Sequence, residues 1–315
     1  MKSITQLLGI KYPMIQGAMA NITNGKFAAT MSNLGILGNI ASAAMDADTL
    51  EKEILEAKSI TDKPFSVNLM LMNPHCKDLA EIVVKHEVKV VTTGAGNPAS
   101  YMDKLKAAGV IVIPVVPSAT LAKKVQQCGA DAVIVEGTEA GGHVGELTNM
   151  AIVPQVVDVV DIHVIAAGGI ADGRQITAAF ALGAVGIQCG TVLLASEECP
   201  IHPNYKEALI KAKDTETTVT GRISGVPVRL LKNQMARTYI TLERQGKTAE
   251  ELEHLTNGSL IKSAREGDVI EGSVMAGQVA GMIKAVRPAK EIIEEMFAQA
   301  DQEINAIKDR WGIWK

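Results

Sequence analysis

Aromatic residues are scarce in this chain, with two Trp, four Tyr and four Phe among 315 residues. A core must therefore be built from Ala, Val, Ile, Leu and Met. Cysteine is sparse as well. Cys76, Cys128, Cys189 and Cys199 lie far apart with no CxxC pair, which argues against a disulfide framework and a cysteine-rich zinc site. No apolar run approaches the roughly 18 residues needed to span a bilayer. The opening stretch MKSITQLLGIKYPMIQ lacks an apolar core long enough for a secretion signal. An excess of positive charge is missing too: the net charge is −4 and the pI about 5.9, so no broad nucleic-acid face is expected. These absences leave a cytoplasmic protein with no stable membrane association as the expectation.

What is present is glycine and aliphatic side chains. Gly makes up 28 of the 315 residues, above the average of about 7%. Apolar residues are 47% and charged residues 21% of the chain, a globular balance. Against a prior of roughly 150 residues per domain, the length allows two domains or one large α/β barrel with insertions.

Short aliphatic runs recur at Tyr12–Gln16, Gly35–Ile40, Pro64–Met70, Val88–Thr92, Val110–Pro114, Ala132–Val135, His163–Ala167 and Ala184–Gln188. Several lack polar alternation, as strands buried on both faces do. Helical patterns fill the gaps: Ala47–Lys58 after Asp46, Leu79–Lys85, Tyr101–Ala108, Ala119–Cys128, and Gln175–Leu182 after Asp172. Eight such units predict an α/β fold, a closed (β/α)8 TIM barrel over residues 1–196. A doubly wound open sheet is the alternative, but more often has fewer strands. A polar segment, 197–270, predicts a partly helical insertion or cap. Helical character returns at Ser273–Val286 and Lys290–Trp311, so residues 271–315 are expected as helices packing on the barrel.

A barrel places chemistry on the loops at the carboxyl ends of its strands. Gly168 and Gly169 follow the seventh run, and Gly190 and Thr191 the eighth. Loops at those two places commonly cradle phosphate, because glycine lets backbone N–H groups approach the oxygens. The alternative is that they only make tight turns, but two such pairs at the two right strands favour phosphate. In EAGGHVG, after the sixth run, Gly141 and Gly142 precede His143 and Gly145 follows it; the histidine could serve as acid, base or donor near neutral pH or have no task. Asn68 interrupts the apolar run VNLML; its amide meets either a ligand ring or an internal partner. TTGAGNP and PVVPS also end strands and could be turns only. The loop QGAMAN brings Gly17, Ala18 and Met19 either against a flat ring or over the mouth as a hydrophobic lid. GSVMAGQ is expected to open a helix whose Gln278 either reaches the site or lies on a solvated face. No His/Asp/Glu spacing suggests a metal triad. GxSxG and GxxxxGK[ST] are absent, and no GxGxxG opens a first β/α unit.

Together, YPMIQGAMA, DKPFSVNLML, VKVVTTGAGNP, VIVIPVVPS, GADAVIVEGTEAGGHVG, VIAAGGIADG, HPNYKEALIKAKD and EGSVMAGQVAG resemble the flavin-dependent enoyl-acyl-carrier-protein reductases II. These belong to the wider nitronate monooxygenase, or 2-nitropropane dioxygenase-like, group of FMN barrels. AAGGIADG and EAGGH are similar to the whole group; TTGAGNP, IPVVPS and HPNYK look more like the reductase branch. The resemblance implies noncovalent FMN, with Gly168, Gly169, Gly190 and Thr191 at its phosphate. Gly17, Ala18, Met19, Asn68, Glu136, Gly141, Gly142 and Gln278 would border the ring or ribityl chain. His143 matches the active-site histidine. NADH or NADPH as electron donor, a response to a monovalent cation, a homodimer, and enoyl-acyl carrier protein or enoyl-CoA as substrate are also implied. Basic residues of the insertion, Lys206, Lys211 and Arg222 among them, are candidate contacts for the acidic carrier protein, or a solvated charged face. A nitronate monooxygenase with His143 as base is the alternative activity. A non-catalytic flavin carrier, or a flavin-free phosphate barrel, is a further class; the strand-end lysine of a Schiff-base aldolase is not evident. The chain departs from the group pattern at Ala18, at GILG (Gly35–Gly38) and at ASAAM (Ala41–Met45), each adding a side chain expected to narrow the mouth or alter flavin packing.

Overall fold

A computed structural model describes residues 2–311. Eight parallel strands form its centre: β1 (Met14–Gln16), β2 (Gly38–Ala41), β3 (Phe65–Met70), β4 (Val90–Gly94), β5 (Ile111–Val116), β6 (Ala132–Glu136), β8 (His163–Ala167) and β9 (Gly186–Cys189). A two-residue strand, β7 (Gly142–His143), follows β6 and lies outside this sheet. The order of the eight is β1-β9-β8-β6-β5-β4-β3-β2. Gln16 N donates to Leu37 O and Leu37 N to Met14 O, each at 2.9 Å, and so join β1 to β2. The sheet is the expected α/β barrel, with the eight predicted runs in place and the ends of most of them shifted by a few residues.

The helices start where capping chemistry allows. Asp46 accepts from Thr49 N at the start of helix Ala47–Ile60. Asp172 and Gln175 form a reciprocal capping box on helix Gly173–Ala181, satisfying N–H groups that would otherwise lack partners.

Two apolar layers result. Ile40, Val67, Val91, Val133 and Ile187 face the helices. Ile15, Leu37, Val90, Ile113, Ile134 and Ile165 fill the barrel's interior, and Ile4 and Leu8 of helix Ile4–Leu8 join them. Two residues beyond Leu37 and Val90 on the same face come Asn39 and Thr92, both fully buried. The interior thus changes from apolar to polar towards the carboxyl ends.

The segment after β9 is not helical alone. Helices Pro203–Lys211, Gln234–Arg244 and Ala249–Thr256 accompany a hairpin of β10 (Thr217–Thr220) and β11 (Val228–Leu231). Strand β11 pairs antiparallel with β7, Val228 opposite His143 and Arg229 opposite Gly142. The hairpin therefore grips the loop after β6.

The helix expected over Ser273–Val286 is not formed; only a 3-10 turn, Gln278–Met282, occurs there. Close backbone contact explains this. A Cβ at Gly277 would lie 2.7 Å from Glu139 O, and one at Gly281 2.8 Å from Lys213 C. Glycines that permit such approach also weaken a helix. The last helix, Ala289–Trp311, runs against Gly173–Ala181. Gly173 N donates to Gln299 Oε1 at 2.9 Å and Thr177 Oγ1 to Ala300 O at 3.3 Å.

Candidate active site

A cavity of about 440 Å³ opens at the carboxyl ends of the strands, a size typical of small-molecule sites. Gly17, Ala18 and Met19 enter it from the loop after β1, Asn68 from β3, and Glu136 from β6. Gly141, Gly142 and His143 come from the gripped loop. Gly168 and Gly169 come from the loop after β8, and Gly190 and Thr191 follow β9. Thus twelve of the thirteen residues singled out from the sequence line one cavity. Gln278 does not: it is exposed, its N–H donates to Glu139 O at 2.9 Å, and its neighbour Val279 reaches the wall instead.

Two positive-φ glycines, Gly168 (+90°) and Gly169 (+70°), shape one end. Among the described residues, the backbone N–H groups of Gly168, Gly169 and Gly190 have no hydrogen-bond partner. A Cβ at Gly168 would lie 2.9 Å from Ala140 N, whereas one at Gly190 would meet only the flexible Met19 side chain, its Sδ at 3.5 Å. Asn149 pins this end: its Nδ2 donates to Ala167 O at 3.1 Å and to Gly168 O. The Thr191 hydroxyl accepts from Gly277 N at 2.9 Å, which leaves its proton to donate. Free N–H donors at a glycine turn suit a phosphate.

The polar floor is ordered by Thr92. Its Oγ1 accepts from Asn68 Nδ2 at 2.9 Å and from Asn39 Nδ2 at 3.1 Å. Asn68 thereby spends its donor internally and presents its Oδ1 to the cavity. Gln188 of β9 also lines the wall. Sequence reasoning misses it, although a Gln inside GIQC carries the same signal as Asn68. Backbone groups and amides around a flat apolar slot suit the edges of a heterocyclic ring. The donor set as a whole fits FMN.

Two titratable groups stand out. Burial raises Glu136 to about 7, from 4.5, because a desolvated carboxylate is costly. Burial lowers His143 below its ordinary 6.5. The ring retains solvent access at the mouth while packed atoms disfavour its cation. The uncharged imidazole is thereby favoured, able to donate a hydrogen bond or take up a proton. The Cys189 thiol is held far above its usual range by burial and is no nucleophile.

Arg229 is buried and braces the histidine loop. Its Nε donates to Thr138 O and its Nη1 to Thr217 Oγ1, each at 3.1 Å. Burial, with Arg222 nearby, pulls its pKa down, while Glu139 opposes. No sequence signal marks Arg229.

Of the departures from the group pattern, Ala18, Ala41 and Ala43 line the cavity. The side chains of GILG do not: Ile36 and Leu37 are fully buried in the two apolar layers, because they precede β2 at its amino end. Among the described residues no three His, Cys, Asp or Glu side chains group to hold a metal, and no helix is long and apolar enough to cross a membrane.

Comparison with known families places the chain. The nitronate monooxygenase family model matches residues 1–85 and 77–299. The chain belongs to the nitronate monooxygenase family. It is therefore a flavin-dependent oxidoreductase of the FMN-barrel group. The solved structure of FabK from Thermotoga maritima is similar, with 44% identity and a TM-score of 0.95 over 98% of this chain and 99% of that one. A (3aS,4S,5R,7aS)-5-hydroxy-7a-methyl-1-oxo-octahydro-1H-indene-4-carboxyl-CoA dehydrogenase of Rhodococcus jostii is 31% identical over 97% of each chain. A probable nitronate monooxygenase of Staphylococcus saprophyticus is also 31% identical, over 96% of this chain and 98% of the relative.

Proposed function

We propose that this family member is an FMN-dependent enoyl-acyl-carrier-protein reductase of type II, using NADH or NADPH. The observation that carries the reading is the correspondence with FabK along nearly the whole chain, at higher identity than the oxygenase relative. Bound FMN would supply hydride exchange between the nicotinamide donor and the β-carbon of the enoyl thioester. The N–H groups of Gly168, Gly169 and Gly190 and the Thr191 hydroxyl would hold its phosphate. Asn68 Oδ1, Glu136 and the loop at Gly17, Ala18 and Met19 would border its ring system, and Gly141 and Gly142 the ring or ribityl side.

His143 would position the substrate or the nicotinamide donor, or serve as proton donor. As the reaction builds negative charge on the thioester oxygen, the neutral imidazole N–H would donate a hydrogen bond to it; a ring that takes up a proton from solvent would pass that proton to the α-carbon and return to the neutral form. Residues 197–270 would act as a cap on the barrel of residues 1–196, with the segment from residue 271 to residue 311 packing on the barrel; residues 312–315 lie outside the described residues. A cytoplasmic homodimer serving fatty-acid elongation is the setting that suits this activity. A monovalent cation is a candidate activator.

The test is anaerobic. NADH or NADPH is added to the FMN-loaded protein, then a crotonyl thioester. Bleaching of the flavin band followed by its recovery is expected. Oxygen uptake with an alkyl nitronate, without bleaching by either nucleotide, would replace this reading with nitronate oxidation.

A further inference from the structure

A second, polar groove of about 640 Å³ adjoins the cavity. Ile22 and Ala41 belong to the walls of both. One side of the groove is built from the loops after β1 and β2, the other from the insertion, with His202 and Arg265.

Its polar groups are mostly uncharged and held in fixed directions. Asn24 Oδ1 accepts from Phe27 N at 2.9 Å, which leaves its Nδ2 as a donor. His202 Nδ1 accepts from Asn204 N at 3.1 Å, which puts the proton of the neutral ring on Nε2. Asn204 Nδ2 in turn donates to Gly267 O at 3.0 Å, and a Cβ at Gly267 would strike the His202 ring. Arg265 forms no ion pair among the described residues. The carboxylate of Glu53 is engaged by Gly25 N at 2.6 Å.

The segment HPNYK links groove and cavity. His202 lines the groove, while Tyr205 OH donates to Met275 O at 2.7 Å, and Met275 lines the cavity. A dinucleotide fits the groove poorly. No aromatic side chain stands in its wall to stack a base, and one arginine faces what would be two phosphates.

We propose that this groove seats the arm that carries the thioester: a chain of amides ending in a single phosphate, as in 4′-phosphopantetheine. Its amides meet Asn24 and His202, its phosphate meets Arg265, and its thioester end passes Ile22 and Ala41 into the cavity. The proposal rests on the enoyl-thioester reading above. Binding energy from such a remote arm can promote reaction at the acyl end.

Two variants test it in the FMN-loaded protein. Ala44→Trp fills the groove from an exposed wall position, and Arg265→Ser removes the cation. In calorimetric titration, 4′-phosphopantetheine binds the parent protein, and A44W weakens it about tenfold or more, a loss of about 1.4 kcal/mol. R265S weakens 4′-phosphopantetheine but not pantetheine. In turnover, the kcat/KM ratio of crotonyl-phosphopantetheine over crotonyl-N-acetylcysteamine falls about tenfold in A44W. Absence of phosphopantetheine binding to the parent protein overturns the proposal, as does an unchanged ratio in A44W. A loss of NADH binding in both variants, with the arm unaffected, overturns it too. If the parent protein binds phosphopantetheine, with the A44W loss, yet reduces no enoyl thioester, the arm site stands and the reductase reading fails. Reduction of the thioester without arm binding leaves the reductase reading standing and removes the arm site.

Discussion

Asn68 Nδ2 donates to Thr92 Oγ1, 2.9 Å away on the neighbouring strand. The two residues lie directly opposite in the β3–β4 register. The contact decides which end of the Asn68 amide faces the cavity.

Thr92→Val should therefore act at a distance from any ligand. It strands the donors of the buried Asn39 and the half-buried Asn68, at a cost of about 1–3 kcal/mol. FMN affinity should fall because the Asn68 amide loses its anchor, and Thr92→Ser should restore both properties. Urea unfolding and flavin fluorescence titration measure the two effects. Full FMN affinity in Thr92→Val would show that Asn68 orientation does not depend on Thr92.

Glu136 makes stability depend on pH in a defined sense. Its folded value is about 7 against 4.5 in the unfolded chain. Between those values the folded chain binds more protons than the unfolded one, so stability falls as pH rises and levels off above about 7. Glu136→Gln should flatten this slope. Melting temperatures of the FMN-free protein and the variant across that range check it; parallel curves would contradict the assignment.

Gly168 and Gly190 should separate folding from binding. Gly168 holds φ +90° and its Cβ would press on Ala140 N at 2.9 Å, so Gly168→Ala should cost about 1–3 kcal/mol of stability. Gly190 has φ −113° and room beside Met19. Gly190→Ala should fold normally yet bind FMN more weakly. Thermal melts beside equilibrium dialysis of FMN distinguish the two.

His143→Ala should slow flavin reoxidation by the crotonyl thioester about 10²–10⁴-fold. Because burial lowers the His143 pKa, its NMR titration should centre below 6.5. Stopped-flow reoxidation and that titration are the measurements; an unaltered rate would remove His143 from the proton path.

Much of the fold is legible in the sequence because a parallel barrel writes itself locally. Strands covered on both faces are unbroken aliphatic runs, and the run His163–Ala167 coincides with β8 to the residue. The interior polar positions are partly legible. Asn68 stands out against Val67 and Leu69, and Gln188 carries the same signal between Ile187 and Cys189, whereas Thr92 reads as an ordinary strand residue until its partners are seen. The stretch Ser273–Val286 misleads. Its apolar spacing suggests a helix, but Gly277 and Gly281 lie against other backbone segments, a constraint that periodicity does not carry.

The sequence by itself determined the barrel, the mouth at its carboxyl ends and the glycine pairs there, because burial patterns and turn chemistry act within a few residues. Only the tertiary structure decided that β11 pairs with Gly142–His143, that Arg229 braces the same loop, and that His202 and Arg265 meet the loops after β1 and β2. Those contacts join residues tens to hundreds of positions apart. Their register is set by packing and by hydrogen bonds that must all be satisfied at once, which no local pattern encodes.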